Sequence, residues 1–251
     1  MKILGIAGNS SAGKDTIAAI LRDQHGWQVV AFADALKRLV GKIFDYDVDV
    51  LFGEPAKRNA IDVRVGSDWY WNNVRRRAVV AYPEMDMLFE GRVSREQIVL
   101  SFEAFLSGCR SRGTNLTPRY VLQQVGTEFG RGLWDKVWVN SVKQTIEDIG
   151  RGCQYSRMEG LGNHFMAVTP PLGIVVVDTR FPNEVEDVHG MDGKVLWVDA
   201  SKRVPRDPKL AHASEPRRED FADTIDFDLD NNGHLSELPG KIKKALSELW
   251  P

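Results

Sequence analysis

The sequence predicts an α/β fold, a parallel sheet covered by helices on both faces, and three observations carry that expectation. The run Gly173-Ile174-Val175-Val176-Val177-Asp178 is apolar and β-branched almost throughout, which marks a strand buried on both faces. Four more strand-length segments, near 3–7, 28–32, 194–198 and 224–229, alternate with helical patterns along the chain. The first of them runs into a glycine-bounded loop, Gly8-Asn9-Ser10-Ser11-Ala12-Gly13-Lys14-Asp15-Thr16, and then into Ile17, Ile20 and Leu21 at helical spacing.

Strand, loop and helix in that order are what a phosphate-binding P-loop requires. Gly8 and Gly13 permit backbone conformations in which successive N–H groups, including those at Ser11 and Ala12, converge on phosphate oxygens. The helix adds unpaired amides and a positive dipole end, and Lys14 adds a mobile point charge. One position departs from the common pattern. Asp15 follows the lysine, and the hydroxyl that would ordinarily meet magnesium comes one place later, at Thr16.

A chain of 251 residues allows one large domain or a domain with a sizeable insertion. With 33 basic and 35 acidic residues, no overall field favours nucleic acid or an anionic membrane. Cys109 and Cys153 have no metal-ligand or paired spacing, and no apolar run reaches membrane-spanning length. These features lead to the expectation of a soluble cytoplasmic protein.

In chain order, the first helix is expected to end near His25-Gly26, and Asp34 to cap a second helix whose core stripe is Leu36, Leu39, Val40, Ile43 and Phe44. Lys37 and Arg38 lie off that stripe, near a strand end where sheet ligands collect. From about 53 to 115 the pattern loosens into a helical insertion, with Arg75-Arg76-Arg77 close to Trp69, Tyr70, Trp71 and Tyr82. Basic residues among aromatics can bind single-stranded nucleic acid. The many carboxylates of the same stretch favour a solvated helical surface with an aromatic underside. Thr117-Pro118 starts a helix with Val121, Val125 and Phe129 on one side and Gln123, Gln124, Thr127, Glu128 and Arg131 on the other. A further helix follows around 136–149, then a loop near 154–171. Asp178 ends the most apolar strand, where a carboxylate beside magnesium would sit in a P-loop protein, and Arg180 follows two residues on. Asp230-Asn231-Asn232-Gly233 forms a turn before a C-terminal amphipathic helix carrying Leu235, Leu238, Ile242 and Leu246. The whole suits a three-layer α/β/α P-loop NTPase fold with a five-stranded parallel sheet, nucleoside monophosphate kinase-like, in one domain over 1–251. Residues 34–150 form its helical acceptor-binding region.

Five short motifs occur in a fixed order: Gly13-Lys14-Asp15-Thr16, Phe32-Ala33-Asp34-Ala35-Leu36-Lys37, Leu122-Gln123-Gln124-Val125-Gly126-Thr127-Glu128, Asp178-Thr179-Arg180 and His212-Ala213-Ser214-Glu215. Together they resemble the deoxynucleoside monophosphate kinases of T4-type bacteriophages. The Gly-Lys-Asp loop is also similar to that of animal-type phosphomevalonate kinase. The resemblance spans both ends of the chain and leaves about 53–115 uncovered. It implies transfer of the ATP γ-phosphoryl group to a (deoxy)nucleoside monophosphate, for DNA precursor synthesis. It further implies that Gly13, Lys14, Asp15 and Thr16 hold ATP phosphates and Mg2+, with Asp178 near the metal directly or through water. Lys37, Gln123, Thr127, Glu128 and Arg131 would surround the acceptor, Arg180 would act at the transferring group, and Asn231 would belong to the loop against the ATP base. A homodimer is compatible with this reading; membrane and nucleic-acid partners are not expected.

The mechanism makes its own demand. A phosphate acceptor is already ionised at neutral pH, so catalysis needs positioning and charge neutralisation rather than a general base. Two rivals stand beside this reading. One is a kinase of another phosphorylated small molecule, of the phosphomevalonate or dephospho-coenzyme A type. The other is a nucleotide-dependent nucleic-acid-binding protein.

Overall fold

The computed structural model describes residues 1–161, 169–204 and 217–251. The motif at His212-Ala213-Ser214-Glu215 lies outside the described residues. The elements run β1 (Lys2–Gly8), α1 (Lys14–His25), β2 (Gln28–Ala31), α2 (Ala33–Phe44), α3 (Val48–Phe52), α4 (Pro55–Asn59), α5 (Asp68–Phe89), α6 (Arg95–Ser111) and α7 (Pro118–Gln124). A π-helical stretch, Val125–Arg131, follows, and then α8 (Val137–Gly150), the two-residue strands β3 (Tyr155–Ser156) and β4 (Gly160–Leu161), and β5 (Gly173–Thr179). The chain closes with α9 (Pro182–Gly190), β6 (Lys194–Asp199), β7 (Phe227–Asp230) and α10 (Leu238–Leu249). These elements form two compact units.

The sheet unit contains Met1–Phe32, Val142–Arg157 and the C-terminal part of the chain. Its five strands lie in the order β2-β5-β1-β6-β7, and every pairing is parallel. Side chains alternate across each strand, so one face sends Leu4, Ile6, Val175 and Val177 against Ile17 and Leu21 of α1 and Ile242 of α10. On the other face Gly5 lets α9 approach closely. A Cβ there would lie 3.3 Å from Val188 Cγ2. The sheet is thus α/β with helices on both faces, consistent with a P-loop kinase-like fold. The central strand is β1, with β5 beside it, so the P-loop leaves the middle of the sheet.

The helical unit contains Ala33–Ser141 and a short return segment beginning at Met158. Two features differ from the sequence expectations. Helix α2 begins at Ala33, two residues earlier than a cap at Asp34 implies, which places Asp34 inside its first turn, 1 % exposed. A carboxylate among first-turn amides is favoured by the helix dipole. The helix starting at Pro118 is α-helical only to Gln124 and continues as a π-helix. The start itself is as expected, with Thr117 Oγ1 accepting from the Tyr120 N–H at 3.2 Å. In the sheet unit, β7 starts three residues later than the alternation suggests, because Arg218–Thr224 winds into a 3-10 turn. Leu235 lies in another such turn and is exposed instead of joining the stripe of α10.

Candidate functional site

The sheet unit places its chemistry at the C-terminal ends of β1, β5, β6 and β7, where open α/β sheets bind ligands. The loop after β1 has the strained backbone that close phosphate approach needs. Gly8 has φ 143°, and a Cβ there would sit 2.9 Å from the Val198 carbonyl oxygen; Gly13 has φ 99°. Between them Ser11 adopts φ 60°, in the left-handed region. Gly13 is the N-cap of α1 and supplies no side-chain acceptor, so the first-turn amides are left for an anion. Lys14 Nζ donates to the carbonyls of Gly8 and Asn9, both at 2.8 Å, which draws its charge across the loop. Asp15 and Thr16 stand exposed on the same turn.

The underside of this loop is held from the far end of the chain. Asn231 Nδ2 donates to the Ala12 carbonyl at 2.7 Å, and Arg203 Nη2 donates to the same oxygen at 3.3 Å. Arg203 Nε also donates to the Asn231 carbonyl at 3.3 Å. Asn231 is buried, and its amide is spent on the loop. Its neighbour Asn232 ties the ends of β6 and β7 together, with Nδ2 donating to Asp199 Oδ2 at 3.1 Å and to Asp230 Oδ1 at 2.6 Å. The backbone N–H of Ser201 holds the Asp199 carboxyl below the usual carboxylate range.

Strand β5 runs beside β1 with one extra residue. Gly5 pairs with Val176 and Ala7 with Thr179, so Val177 and Asp178 together face Ile6. Such a bulge re-aims the side chain it carries. Asp178 sits at φ 66°, one of five non-glycine residues with positive φ among the described residues, level with the start of the loop after β1. Its Oδ1 lies 3.5 Å from Arg180 Nη2. The backbone after it is fixed by Glu184, 1 % exposed, whose Oε2 accepts from the N–H groups of Arg180 at 2.6 Å and Phe181 at 3.1 Å.

The helical unit holds the other expected residues. Lys37, on α2, lies 4.8 Å from the centroid of the Phe52 ring. Gln123, Thr127 and Glu128 are exposed, and Arg131 is half-buried, all on α7 and the π-helix. The π-helix packs on α2 through Gly126, where a Cβ would come within 2.9 Å of Leu36 Cδ2. Trp138 Nε1 donates to the Gly126 carbonyl at 2.8 Å and satisfies a group that the altered winding would otherwise strand. Gln124 and Glu128 line a cleft of about 250 Å³ with Phe105, Cys109 and Tyr120. Burial pushes the Cys109 thiol up to about 12, so it is no nucleophile.

The expected donor-side residues therefore share one unit and the expected acceptor-side residues the other. Sequence reasoning missed Arg203 and Glu184. Glu184 carried a signal, a carboxylate at the third position of a helix opened by Pro182, the place from which an N-terminal amide is reached. Arg203 carried none, being 191 residues from its partner Ala12.

Oxygen donors that could serve a magnesium ion are present in the sheet unit: Thr16, Asp15 and the re-aimed Asp178. One or two carboxylates beside substrate phosphates suffice for that ion. Among the described residues no helix is long and apolar enough to cross a membrane.

No family model matches the chain. It is 23 % identical over 242 residues to a protein of Acanthamoeba polyphaga mimivirus named "Putative deoxynucleotide monophosphate kinase", a match covering 96 % of this chain and 94 % of that one.

Proposed function

We propose that this protein is an ATP-dependent kinase of (deoxy)nucleoside monophosphates. The observation that carries the reading is the pairing of an uncapped, glycine-bounded loop bearing Lys14 with a bulged β5 that presents Asp178 beside it. Near-full-length similarity to the mimivirus protein supports it.

In this reading the first-turn amides of α1 and Lys14 bind the donor phosphates. Asp15, Thr16 and Asp178 would hold Mg2+, directly or through water, which when bound supplies charge neutralisation at the phosphates. Arg180 stabilises charge on the transferring group, with Glu184 fixing the backbone from which it projects. Asn231 and Arg203 keep the loop's carbonyls turned away from the anion by occupying the Ala12 oxygen. Lys37, Gln123, Thr127, Glu128 and Arg131 bind the acceptor. Proton transfer asks nothing of the protein, since the acceptor oxygen arrives ionised.

The reading is tested by ATP consumption across a panel of ribo- and deoxynucleoside monophosphates, with phosphomevalonate and dephospho-coenzyme A beside them. Turnover confined to one or more nucleoside monophosphates is the expected result. Turnover only with a non-nucleotide acceptor transfers the assignment to the rival kinase class, and none with any acceptor removes it.

A further inference from the structure

The cleft of about 250 Å³ in the helical unit lies between α6 on one side and α7 with the π-helix on the other. Tyr120, Gln124 and Glu128 recur every four residues along the second side, so they stand one above another. Helix α6 contributes Phe105 and Gly108. The floor is apolar, made by the buried Phe129 and Cys109. Arg112 stacks on Tyr120, its guanidinium carbon 4.0 Å from the ring centroid, and holds that aromatic wall in place.

Two observations mark the cleft as built for a ligand. The side chains of Gln124 and Glu128 make no hydrogen bond or ion pair among the described residues, although both line it. Gly108 is the second. A glycine within a helix is destabilising relative to alanine, and a Cβ at Gly108 would meet nothing within 4 Å among the described residues. Packing of the chain therefore does not require that glycine, whereas a group lying in the cleft would.

The lining specifies the group. Two aromatic side chains over an apolar floor suit a flat heteroaromatic ring. The volume falls below the about 300–1,000 Å³ of sites that enclose a drug-sized ligand, so a base fits and a whole nucleotide does not. The unpaired Glu128 carboxylate repels phosphate, which leaves the acceptor's phosphate to Lys37 and Arg131. A carboxylate only accepts hydrogen bonds, while an amide both donates and accepts. The pairing edge of guanine offers two adjacent donors, N1–H and the 2-amino group, to the two oxygens of Glu128, and its O6 to the Gln124 amide. Adenine and cytosine set a ring-nitrogen lone pair beside their amino group, and thymine has one N–H between two carbonyls. Each of these turns a lone pair toward the carboxylate.

We propose that this cleft seats a guanine base, that of the acceptor nucleotide, and that Glu128 with Gln124 selects it. The inference rests on the proposed kinase function for the role of acceptor; the binding it predicts does not.

Calorimetric titration with dGMP, dAMP, dCMP and dTMP in the absence of ATP tests it, with kcat/KM for the same four when ATP is present. The wild type should bind dGMP at least about tenfold more tightly than each of the others, and kcat/KM should follow the same order. Glu128→Gln keeps the shape and replaces one acceptor oxygen with a donor, so the ratio of dGMP to dTMP affinity should fall at least about tenfold. Gly108→Leu fills the cleft from a position that no neighbour crowds. It should weaken dGMP binding to a similar degree, with helical circular dichroism and melting temperature unchanged. Equal affinity for the four bases, no binding of any, or a dGMP preference that survives both substitutions overturns the proposal. Turnover of all four monophosphates with no base preference overturns it too, while leaving the kinase reading standing. Binding of dGMP that is lost in both variants, with no turnover of any monophosphate, supports the guanine site and removes the kinase reading instead.

Discussion

At the scale of single residues, Lys14 and Asp178 are separable from the backbone that holds them. Lys14→Met removes two hydrogen bonds to loop carbonyls, a small loss for a half-exposed side chain, and it removes the charge that the proposed function assigns to a phosphoryl group. Turnover should fall by about 10²–10³ while the melting temperature shifts little. Near-normal turnover in a folded Lys14→Met protein would end the P-loop assignment. Asp178 combines a charge with a left-handed backbone, and two substitutions divide them. Asp178→Asn and Asp178→Ala both abolish the carboxylate and should cost activity alike. Asparagine tolerates the left-handed region and alanine does not, so Asp178→Ala should be less stable than Asp178→Asn by about 1 kcal/mol. Equal stability in chemical denaturation would mean the bulge carries no strain. Both residues were legible because each is tied to a local pattern, the glycine-bounded loop and the end of an apolar strand. Asn231 was legible only as part of a turn. That its amide serves the Ala12 carbonyl depends on a contact between distant chain segments, which no local pattern encodes.

At the scale of elements, the periodicities located the five strands of the sheet and the helices around them, because burial on two faces or one leaves distinct spacings. Departures occur where packing overrides the local pattern. Pro83 lies inside α5, where the unit's core holds the helix continuous around a residue that would break it in isolation. The π-helix at Val125–Arg131 also reads locally as α. Its winding rests on two glycines and an indole. A methyl at Gly130 would meet Trp138 Cζ2 at 2.5 Å, whereas one at Gly126 would meet only the tip of Leu36. Gly130→Ala must therefore displace the ring that satisfies the Gly126 carbonyl, and overpacking with loss of that bond predicts a cost of roughly 2–4 kcal/mol. Gly126→Ala should cost clearly less, because a flexible side chain can give way. Similar unfolding free energies for the two would show that Trp138 does not hold the π-turn. Because Thr127, Glu128 and Arg131 lie on this turn, Gly130→Ala should also alter acceptor affinity more than ATP affinity.

At the scale of the whole molecule, each unit contains a carboxylate bound to a cationic and polar cluster, Asp226 in one and Asp62 in the other, and both respond to acid in the same direction. In the sheet unit Asp226 accepts from the Val195 N–H at 2.7 Å, lies 2.8 Å from His189 Nε2 and 3.1 Å from Lys194 Nζ, and so ties the approach to β7 onto β6 and α9. In the helical unit Asp62, 8 % exposed, accepts twice from the Arg64 guanidinium and once from the Tyr70 hydroxyl. Burial pushes both carboxyls up, and their hydrogen bonds and cationic neighbours outweigh it, so both lie below the usual range in the folded protein. A depressed folded-state pKa means that the unfolded chain binds the proton first as pH falls. The stabilisation is complete above the unfolded-state value of about 3.9 and is lost as pH drops through the folded-state value. The melting temperature should therefore be insensitive to these groups from neutrality down to about pH 5 and decline below about pH 4. Asp226→Asn should lower stability at neutral pH and flatten that decline, since the residue then has no proton to take up. Asp62→Asn should do the same at a larger neutral-pH cost, on the order of 1–3 kcal/mol, because it also loosens Arg64 from its buried partner. Melting curves of the three proteins from pH 7 to 3 decide the matter, and an acid limb in Asp226→Asn as steep as the wild type's would assign acid sensitivity to other groups.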